Sequence, residues 1–500
     1  MESDRADTKK KGFSLLIISI SLATFMSALD GTIVNIALPT ISEAFNVTTS
    51  MVSWVSTMYL LVMAGCVLIF GKVSDVIGFK KVFLSGFLIF TIGSFACGFL
   101  PDFIYSFNVL IGSRALQAVG GAMITAIGPA MVTAYIPMEQ KGKAMGIVLT
   151  FAALGTAIGP TIGGILTQFL SWNWIFFINV PVGICAILLG AKVIPSIKAR
   201  ERPAGFDRAG AVLIFTGLAS LLFALSEGQT LGWADPVILA SMMLAILTLG
   251  GFVWCELRAP DPLLELRLFK RKNFLLTNTT MVLLFFSFAG ISYLLPFYLE
   301  YVQGYTPSTA GLILTSLSVA MMVGGILAGM LYNRAGGRLL SIAAGISIVA
   351  GYFLMTRIRV DTTTGFVVLC LILIGFGLGL MLTPASNMIM NSVSKKYQGM
   401  VSSLTSLERF APMTIGIAIF NLVFIQGIDA IARHNAITRL APAYIRKEVL
   451  TAGFDLTFLF ALVVGIIILV LAVLARQETH PDYQPGNEDP ATEPIPSDRK

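Results

Sequence analysis

The long apolar runs of this chain constrain its fold more than any other feature. A bilayer core about 30 Å thick requires about 20 apolar residues per spanning helix, and fourteen segments of the sequence meet that length. In lipid every backbone N–H and C=O group must be satisfied within the spanning structure, which favours helices for such runs. The sequence therefore predicts an all-α, polytopic membrane protein. The predicted segments, numbered 1 to 14, are 13–38, 51–71, 82–100, 104–135, 144–169, 174–191, 209–227, 235–256, 274–302, 309–331, 339–356, 365–391, 400–426 and 455–475.

Composition argues against a soluble protein. The chain is 56% hydrophobic and 12% charged, whereas soluble domains have about 45–50% and about 25%. The five cysteines lie in separate apolar segments, where they act as small hydrophobic residues, so we expect no disulfide framework and no metal site. The sequence shows neither a cluster of catalytic residues nor a sizeable soluble domain, so we do not expect an enzyme.

The distribution of basic residues predicts the orientation in the membrane. If the N-terminus is cytoplasmic, 26 of the 34 lysines and arginines fall on the cytoplasmic side, six fall outside, and only Arg114 and Arg409 lie within segments. Basic residues in short loops resist translocation, so both termini are expected to be cytoplasmic. The net charge of +7 is explained by this bias, and no nucleic-acid partner is expected.

Two short loops suggest an internal repeat. Residues 71–81, after segment 2, and residues 329–338, after segment 10, are both punctuated by glycines and end in a basic residue. Duplicated halves are a common plan of secondary transporters. Segments 1 to 6 and 9 to 14 would form the halves, with segments 7 and 8 inserted between them.

Several motifs, in this order and on these segments, resemble the fourteen-helix drug:proton antiporter branch of the major facilitator superfamily. The resemblance covers most of residues 13–475. Apart from the loop at 71–81, it is carried by residues 29–39 (LDGTIVNIALP), 114–117 (RALQ), 155–164 (GTAIGPTIGG), 172–181 (WNWIFFINVP) and 303–305 (QGY).

The resemblance implies a major facilitator fold with a 6 + 2 + 6 arrangement of helices. The expected division is a cytoplasmic N-terminus (1–12), an N-terminal six-helix bundle (13–195), an inserted helix pair with flanking loops (196–272), a C-terminal six-helix bundle (273–475) and a disordered cytoplasmic tail (476–500).

The resemblance also implies a function. We expect a proton-coupled exporter of small lipophilic, cationic compounds that acts by alternating access in the plasma membrane. The partners would be the small-molecule substrate, protons and membrane lipid, and the protein would act as a monomer. The proton motive force would supply the energy, with no cofactor. The alternative is a proton-coupled uptake symporter of a small nutrient on the same fold.

Asp30 is the first candidate for proton coupling. A carboxylate in the hydrocarbon costs at least about 2.5–3.5 kcal/mol on insertion scales, which makes it a functional candidate unless a partner explains it. Asp30 and Arg114 both lie roughly 13–15 Å deep at about 1.5 Å per residue. They would therefore meet if segments 1 and 4 both line the cavity. The alternative is a static pair that only joins two helices. The resemblance adds Gln117 to this site.

The remaining candidates follow from the short list of titratable groups. The two histidines lie outside the segments, so a membrane-embedded proton carrier has to be a carboxylate. Glu300 and Glu408 qualify besides Asp30, and Glu300 has the alternative role of reaching the outer interface. Arg409 follows Glu408 directly, so the two side chains leave the helix in different directions and are not expected to neutralise each other.

The loop after segment 2 is a candidate gate. Gly71 and Gly78 are expected to allow a tight turn, and Asp75 to accept hydrogen bonds from the N-terminal end of a neighbouring inner helix. Lys80 and Lys81 serve either as topology markers or, by the resemblance, as part of a latch that breaks and reforms during transport.

Segment 5 carries the motif that the resemblance associates with antiporters. Gly155, Gly159 and Gly163 are four residues apart, a spacing that permits close helix packing, and Pro160 bends the helix. Ordinary packing is one interpretation. The other is that this face, with Gly164, seals the outer side against helices of the other half and so limits proton leak.

Overall fold

The structure is a computed structural model that describes residues 2–136, 138–195, 208–259, 264–394, 398–434 and 443–478 of the chain. The described residues form helices and turns, without strands. The α-helices are α1 (Glu2–Phe45), α2 (Thr49–Ile77), α3 (Phe79–Ile104), α4 (Phe107–Tyr135), α5 (Met138–Phe169), α6 (Trp174–Phe177), α7 (Asn179–Val193), α8 (Arg208–Leu231), α9 (Pro236–Arg258), α10 (Lys272–Phe297), α11 (Pro307–Met355), α12 (Thr364–Asn391), α13 (Gln398–His434) and α14 (Ala443–Leu474). A 3₁₀ turn (Leu266–Lys270) precedes α10 and a π-helical turn (Tyr298–Val302) follows it.

All fourteen predicted segments are helical. Thirteen helices of the described chain are long and apolar enough to cross a membrane, and α11 accounts for two of the predicted spans. Its backbone leaves the helical region at Gly336 (φ 77°, ψ 156°), which divides the helix into segments 10 and 11. Segment 6 is formed by α6 and α7 together.

Several predicted boundaries differ from the structure, and those of α1 and α2 are informative. Helix α1 begins at Glu2 and continues past Pro39 to Phe45, because a proline removes one hydrogen bond and bends a helix without having to end it. Helix α2 continues through Gly71 to Ile77, so Gly71 is helical and the turn forms at Gly78. Of the predicted tail, residues 479–500 lie outside the described residues, as do residues 196–207 of the inserted region.

The helices pack as two bundles with an inserted pair beside them. In the first bundle α1 packs on α5, α3 on α4, and α2 on α4; in the second, α11 packs on α12 and α14, and α10 on α13. Helices α8 and α9 pack on each other, and α8 contacts both α2 and α13. The indole nitrogen of Trp54 in α2 donates a 3.0 Å hydrogen bond to Glu227 in α8. The inserted pair therefore lies against both bundles at the α2/α13 junction.

The loops at 71–81 and 329–338 share one unusual backbone conformation, which supports the internal repeat. Gly78 has φ 89° and ψ 147°, close to the values of Gly336. Two residues after each glycine, a basic side chain contacts the last helix of its own bundle. Lys80 Nζ donates to the Ala191 carbonyl at 2.8 Å, and Arg338 donates to the Val473 carbonyl at 2.9 Å. Cations are favoured at helix C-termini, so each loop is fixed to its own bundle.

The two bundles are joined differently at the two faces of the protein. We call the face with the start of α1 and the end of α14 the terminal face, and the opposite one the distal face. Six hydrogen bonds between the bundles lie in the distal half; the pairs are Asn35–Ser292, Tyr293–Thr49, Tyr301–Pro39, Gln168–Ser308, Thr161–Thr315 and Asn421–Ser50. We call this contact the distal seal, and we infer that a cleft between the bundles faces the terminal side.

Candidate functional site

Asp30 in α1 is completely buried and accepts three hydrogen bonds. Its Oδ2 atom accepts from Arg114 Nη1 at 3.0 Å, and its Oδ1 atom accepts from Gln117 Nε2 at 2.9 Å and from Asn179 Nδ2 at 2.8 Å. Hydrogen bonds to a charged acceptor are roughly twice as strong as neutral ones. Both carboxylate oxygens are therefore occupied in this conformation.

Arg114 in α4 is equally well satisfied. Its Nε atom donates to the Val55 carbonyl of α2 at 3.0 Å, and its Nη1 atom also donates to Gln117 Oε1 at 2.6 Å. The ring of Tyr59 lies against the guanidinium, 4.1 Å from ring centroid to Cζ, a cation–π contact that adds to the stability of a desolvated arginine. With 1% of its surface exposed, this arginine has its charge balanced inside the protein.

The network joins five helices of the first bundle. Gln117 also donates to Ser94 Oγ in α3 at 2.7 Å, and Asn179 brings in α7, so that α1, α2, α3, α4 and α7 meet at one ion pair. The structure places Asp30, Arg114 and Gln117 together, as the sequence suggested. It differs on one point: the Asp30 carboxylate lies in the core of its own bundle and is not exposed to the cleft.

Sequence reasoning missed three members of this network, which are Ser94, Asn179 and Tyr59. Asn179 lies in the recognised run at 172–181 but was not predicted as a site residue, and Tyr59 was not singled out. The signal was available for Asn179, because a buried amide inside an apolar segment needs hydrogen-bond partners. The Tyr59 hydroxyl is buried and makes no hydrogen bond with the described residues, so its role is read from its contact with Arg114.

Glu408 and Arg409 lie on α13 of the second bundle and face different surroundings, as predicted for adjacent residues. Glu408 is buried, and its Oε2 atom has no hydrogen-bond partner among the described residues. The Arg409 side chain is exposed and rests 5.6 Å from the Phe410 ring centroid. The two neighbouring charged residues therefore lie in different environments, one buried and one exposed.

Glu300 lies at the distal end of the contact between the bundles, within the π-helical turn that follows α10. Its Oε1 atom has no hydrogen-bond partner among the described residues, and its carboxylate interacts electrostatically with that of Glu43 in α1. The neighbouring Tyr301 donates to the Pro39 carbonyl at 3.2 Å. Glu300 is thus part of the distal contact and is separated from Asp30 along the direction of the helix axes.

The predicted gate loop makes its described contacts inside one bundle. Gly78 has the positive φ that glycine tolerates, and its N–H donates to the Ser74 carbonyl at 3.0 Å. Lys80 binds the end of α7 and Lys81 is exposed. The side chain of Asp75 lies outside the described residues, so its predicted hydrogen bonds do too.

The glycines of α5 divide between two partners. A Cβ atom on Gly155 would lie 2.5 Å from the Phe25 carbonyl oxygen, and those on Gly159 and Gly163 would meet Thr32 and Ile36, all in α1 of the same bundle. Contact with the other bundle is made by the next face of the helix. A Cβ on Gly164 would lie 2.2 Å from the Pro307 carbonyl oxygen, and one on Gly311 would lie 2.2 Å from that of Pro160. The interpretation that all four glycines seal the two halves is therefore corrected: only the Pro160 and Gly164 face does so.

A narrow pocket lies beside this seal, between α1, α5, α10 and α11. It is lined by Thr32, Asn35, Ile36, Pro160, Phe288, Ser292, Leu295, Leu314, Leu317 and Ser318. The lining is mostly apolar and uncharged. Within the described part of the chain, no three His, Cys, Asp or Glu side chains are grouped so as to hold a metal ion.

Comparison with known proteins finds a matching family model, related sequences and a solved structure with the same fold. The model of the Major Facilitator Superfamily matches residues 20–417. The chain is 34% identical to the riboflavin transporter RibZ of Clostridioides difficile, over 84% of this chain and 90% of the relative. It is 32% identical to the multidrug resistance protein Stp of Mycobacterium tuberculosis, over 87% and 80%. A solved bacterial homologue of the human lysosomal transporter Spinster, in an inward-facing and occupied conformation, shares the fold with a TM-score of 0.63 at 16% identity, covering 92% of this chain and 96% of that one.

Proposed function

The chain belongs to the major facilitator superfamily, and we propose that it is a proton-coupled antiporter that exports small lipophilic compounds by alternating access. The relatives are transporters and resistance proteins, so the protein is an integral membrane transporter and not an enzyme. Two relatives are named as multidrug resistance proteins, another as a multidrug transporter, and another as a tetracenomycin C resistance and export protein. Their names support export in preference to other directions of transport.

The observation that carries the proposal is the buried pair of Asp30 and Arg114. A proton on Asp30 would cancel the negative charge and leave the Arg114 guanidinium buried without its counter-ion, which typically costs about 3–5 kcal/mol. The network of five helices has to rearrange to reduce that cost. Loss or gain of one proton at Asp30 is therefore a means of shifting the first bundle between two conformations.

Two further carboxylates are candidate proton carriers. Glu408 and Glu300 each have an oxygen atom without a hydrogen-bond partner among the described residues. Glu408 belongs to the cleft half of α13, whereas Glu300 belongs to the distal contact. We therefore infer that Glu408 acts on the substrate side of the cycle and Glu300 on the opening of the distal seal.

The orientation follows from the basic residues. With 26 of 34 lysines and arginines on the terminal side, we assign the terminal face to the cytoplasm. The distal seal then lies outside, and the inferred cleft faces the cytoplasm, the side from which an exporter loads its substrate. We assign the protein to the plasma membrane as a monomer, with 13–195 and 273–475 as the two moving bundles and no resident cofactor.

Uptake of a small nutrient is the second candidate. It is favoured by one finding, the 34% identity to a riboflavin transporter. The same fold and the same proton site would serve a symporter, in which proton and cargo move in the same direction.

Transport by purified protein in proteoliposomes distinguishes the two directions. A pH gradient is imposed across the vesicle membrane, and movement of a fluorescent substrate against its own gradient is followed. Antiport predicts substrate accumulation in the compartment with more protons, and collapse of the gradient by an ionophore abolishes it. Accumulation in the compartment with fewer protons would support symport, and accumulation that ignores the pH gradient would contradict proton coupling.

A further inference from the structure

We propose that the substrates are lipophilic anions, and that Arg409 is the residue that binds their acidic group. The inference rests on the proposed transport function and specifies which compounds it acts on. Three observations support it. They are the depth of Arg409, its lack of an ion pair or hydrogen bond in the described ranges, and the burial of the Asp30 carboxylate, whose oxygens already have partners.

The depth of Arg409 follows from one hydrogen bond between the bundles. Asn421 of α13 donates to Ser50 of α2 at 3.0 Å in the distal seal, and the two helices are antiparallel. At about 1.5 Å per residue, Arg409 lies about 18 Å below that bond and Tyr59 about 14 Å below it. Arg409 is thus just on the terminal side of Tyr59, below the Asn421–Ser50 bond and on the side of the inferred cleft.

Arg409 lacks the partners that the other arginine of the interior has. Its side chain is exposed, and no ion pair or hydrogen bond joins it to another residue in the described ranges. Arg114, at a similar depth, has two carbonyl or amide acceptors and a carboxylate. A guanidinium presents five N–H donors in a planar fork that suits a carboxylate, sulfonate or phosphonate. A substrate with such a group would supply the missing counter-ion.

The carboxylates near the cleft do not offer an alternative site for a cation. Both oxygens of Asp30 are occupied by Arg114, Gln117 and Asn179, and the carboxylate is fully buried. Glu408 is buried on a different face of α13 from Arg409. The accessible charge of the described cleft is therefore positive, and a positive compound would be repelled where a negative one is attracted. A cationic substrate would be favoured if Asp30 reached it, and the burial of Asp30 does not support that condition.

The test compares two dyes that share a xanthene ring system and differ in charge, the anion fluorescein and the cation rhodamine 6G. Equilibrium binding to the purified full-length protein is measured by fluorescence polarisation for the wild type, Arg409→Gln, Arg409→Glu and the control Arg357→Gln. The control removes an exposed arginine that likewise lies beside a phenylalanine, 5.3 Å from the Phe353 ring centroid, but at the distal face. Thermal unfolding of each variant verifies that it is folded.

The wild type is expected to bind fluorescein more tightly than rhodamine 6G. Arg409→Gln should weaken fluorescein binding about tenfold or more, as expected for a lost charge-assisted hydrogen bond, and Arg409→Glu should reverse the preference. Arg357→Gln should leave both affinities unchanged. Tighter binding of rhodamine 6G by the wild type, or an equal loss of both dyes in Arg409→Gln, would overturn the proposal.

The same proteins in proteoliposomes separate this inference from the proposed antiport. If fluorescein binding depends on Arg409 but fluorescein transport ignores a pH gradient, antiport fails and the substrate assignment stands. If the pH gradient drives accumulation of rhodamine 6G in the compartment with more protons and fluorescein is not bound, the substrate assignment fails and antiport stands.

Discussion

The guanidinium of Arg114 and the carboxylate of Asp30 lie 3.0 Å apart, and their side chains are 2% and 0% exposed to solvent. An ion pair so deep in the membrane is costly to form unless hydrogen bonds complete it, and here Gln117 and Asn179 do so. The pair is thus stable as long as both charges are present. Any event that removes one charge destabilises the centre of the first bundle.

Replacing Arg114 tests whether the pair does more than join helices. Arg114→Gln leaves Asp30 buried without its cation, so we expect a loss of stability of about 3–5 kcal/mol, measured as the unfolding temperature in detergent, together with loss of pH-driven transport. The double variant Asp30→Asn/Arg114→Gln removes both charges and should regain much of the stability but none of the coupling. If the double variant regained coupled transport, the pair would be purely structural.

The packing of α1 on α5 is tested by adding one methyl group. Gly155→Ala places a Cβ 2.5 Å from the Phe25 carbonyl oxygen, and such overpacking typically costs about 1–3 kcal/mol. Gly146→Ala on the same helix is the matched control, because a Cβ there meets nothing within 4 Å and alanine favours helix over glycine by up to about 1 kcal/mol. Thermal unfolding should fall for the first variant and hold or rise for the second. Equal effects would show that the close contact is absent.

The contact of Lys80 with the end of α7 predicts a difference between two neighbouring lysines. Lys80→Met removes the hydrogen bond to the Ala191 carbonyl and should slow transport, whereas Lys80→Arg should keep most of it. Lys81→Met is the control, since Lys81 is exposed. By the repeat, Arg338→Met should resemble Lys80→Met, because Arg338 binds the Val473 carbonyl. Initial transport rates that fall equally in Lys81→Met would indicate a topology signal only.

The distal seal can be locked covalently if it opens during transport. The hydroxyls of Thr161 in α5 and Thr315 in α11 lie 2.6 Å apart across the two bundles. In a cysteine-free background, cysteines at both positions should form a disulfide on oxidation and stop transport, and a reductant should restore it. Each single cysteine should remain active under oxidation. Full transport by the cross-linked protein would mean that this contact does not open.

The features predictable from the sequence were those that the bilayer imposes. Each apolar segment is a helix because lipid provides no partner for backbone groups, and the resemblance of the motifs indicated the family to which the chain belongs. Asp30 and Arg114 could be paired in advance because their distances from the segment ends gave matching depths. The likeness of the two loops suggested an internal repeat, and Gly78 and Gly336 adopt similar backbone conformations.

The features that could not be predicted depend on how helices rotate about their axes. Depth along a segment is a matter of counting residues, but the direction of the Asp30 side chain, into its bundle and away from the cleft, is set by packing. For the same reason the glycines of α5 could not be divided between α1 and α11. Tyr59 was missed because a tyrosine in an apolar segment is ordinary, and only its position against Arg114 distinguishes it.

The most direct test of the proposed mechanism is substrate-induced proton release by the purified protein, followed with a pH-indicator dye in weakly buffered detergent solution. Wild-type protein should release protons when substrate binds, and Asp30→Asn, which keeps the shape of the side chain but cannot titrate, should bind substrate and release none. Proton release of normal size from Asp30→Asn would contradict the central claim that Asp30 carries the proton whose release is coupled to substrate binding.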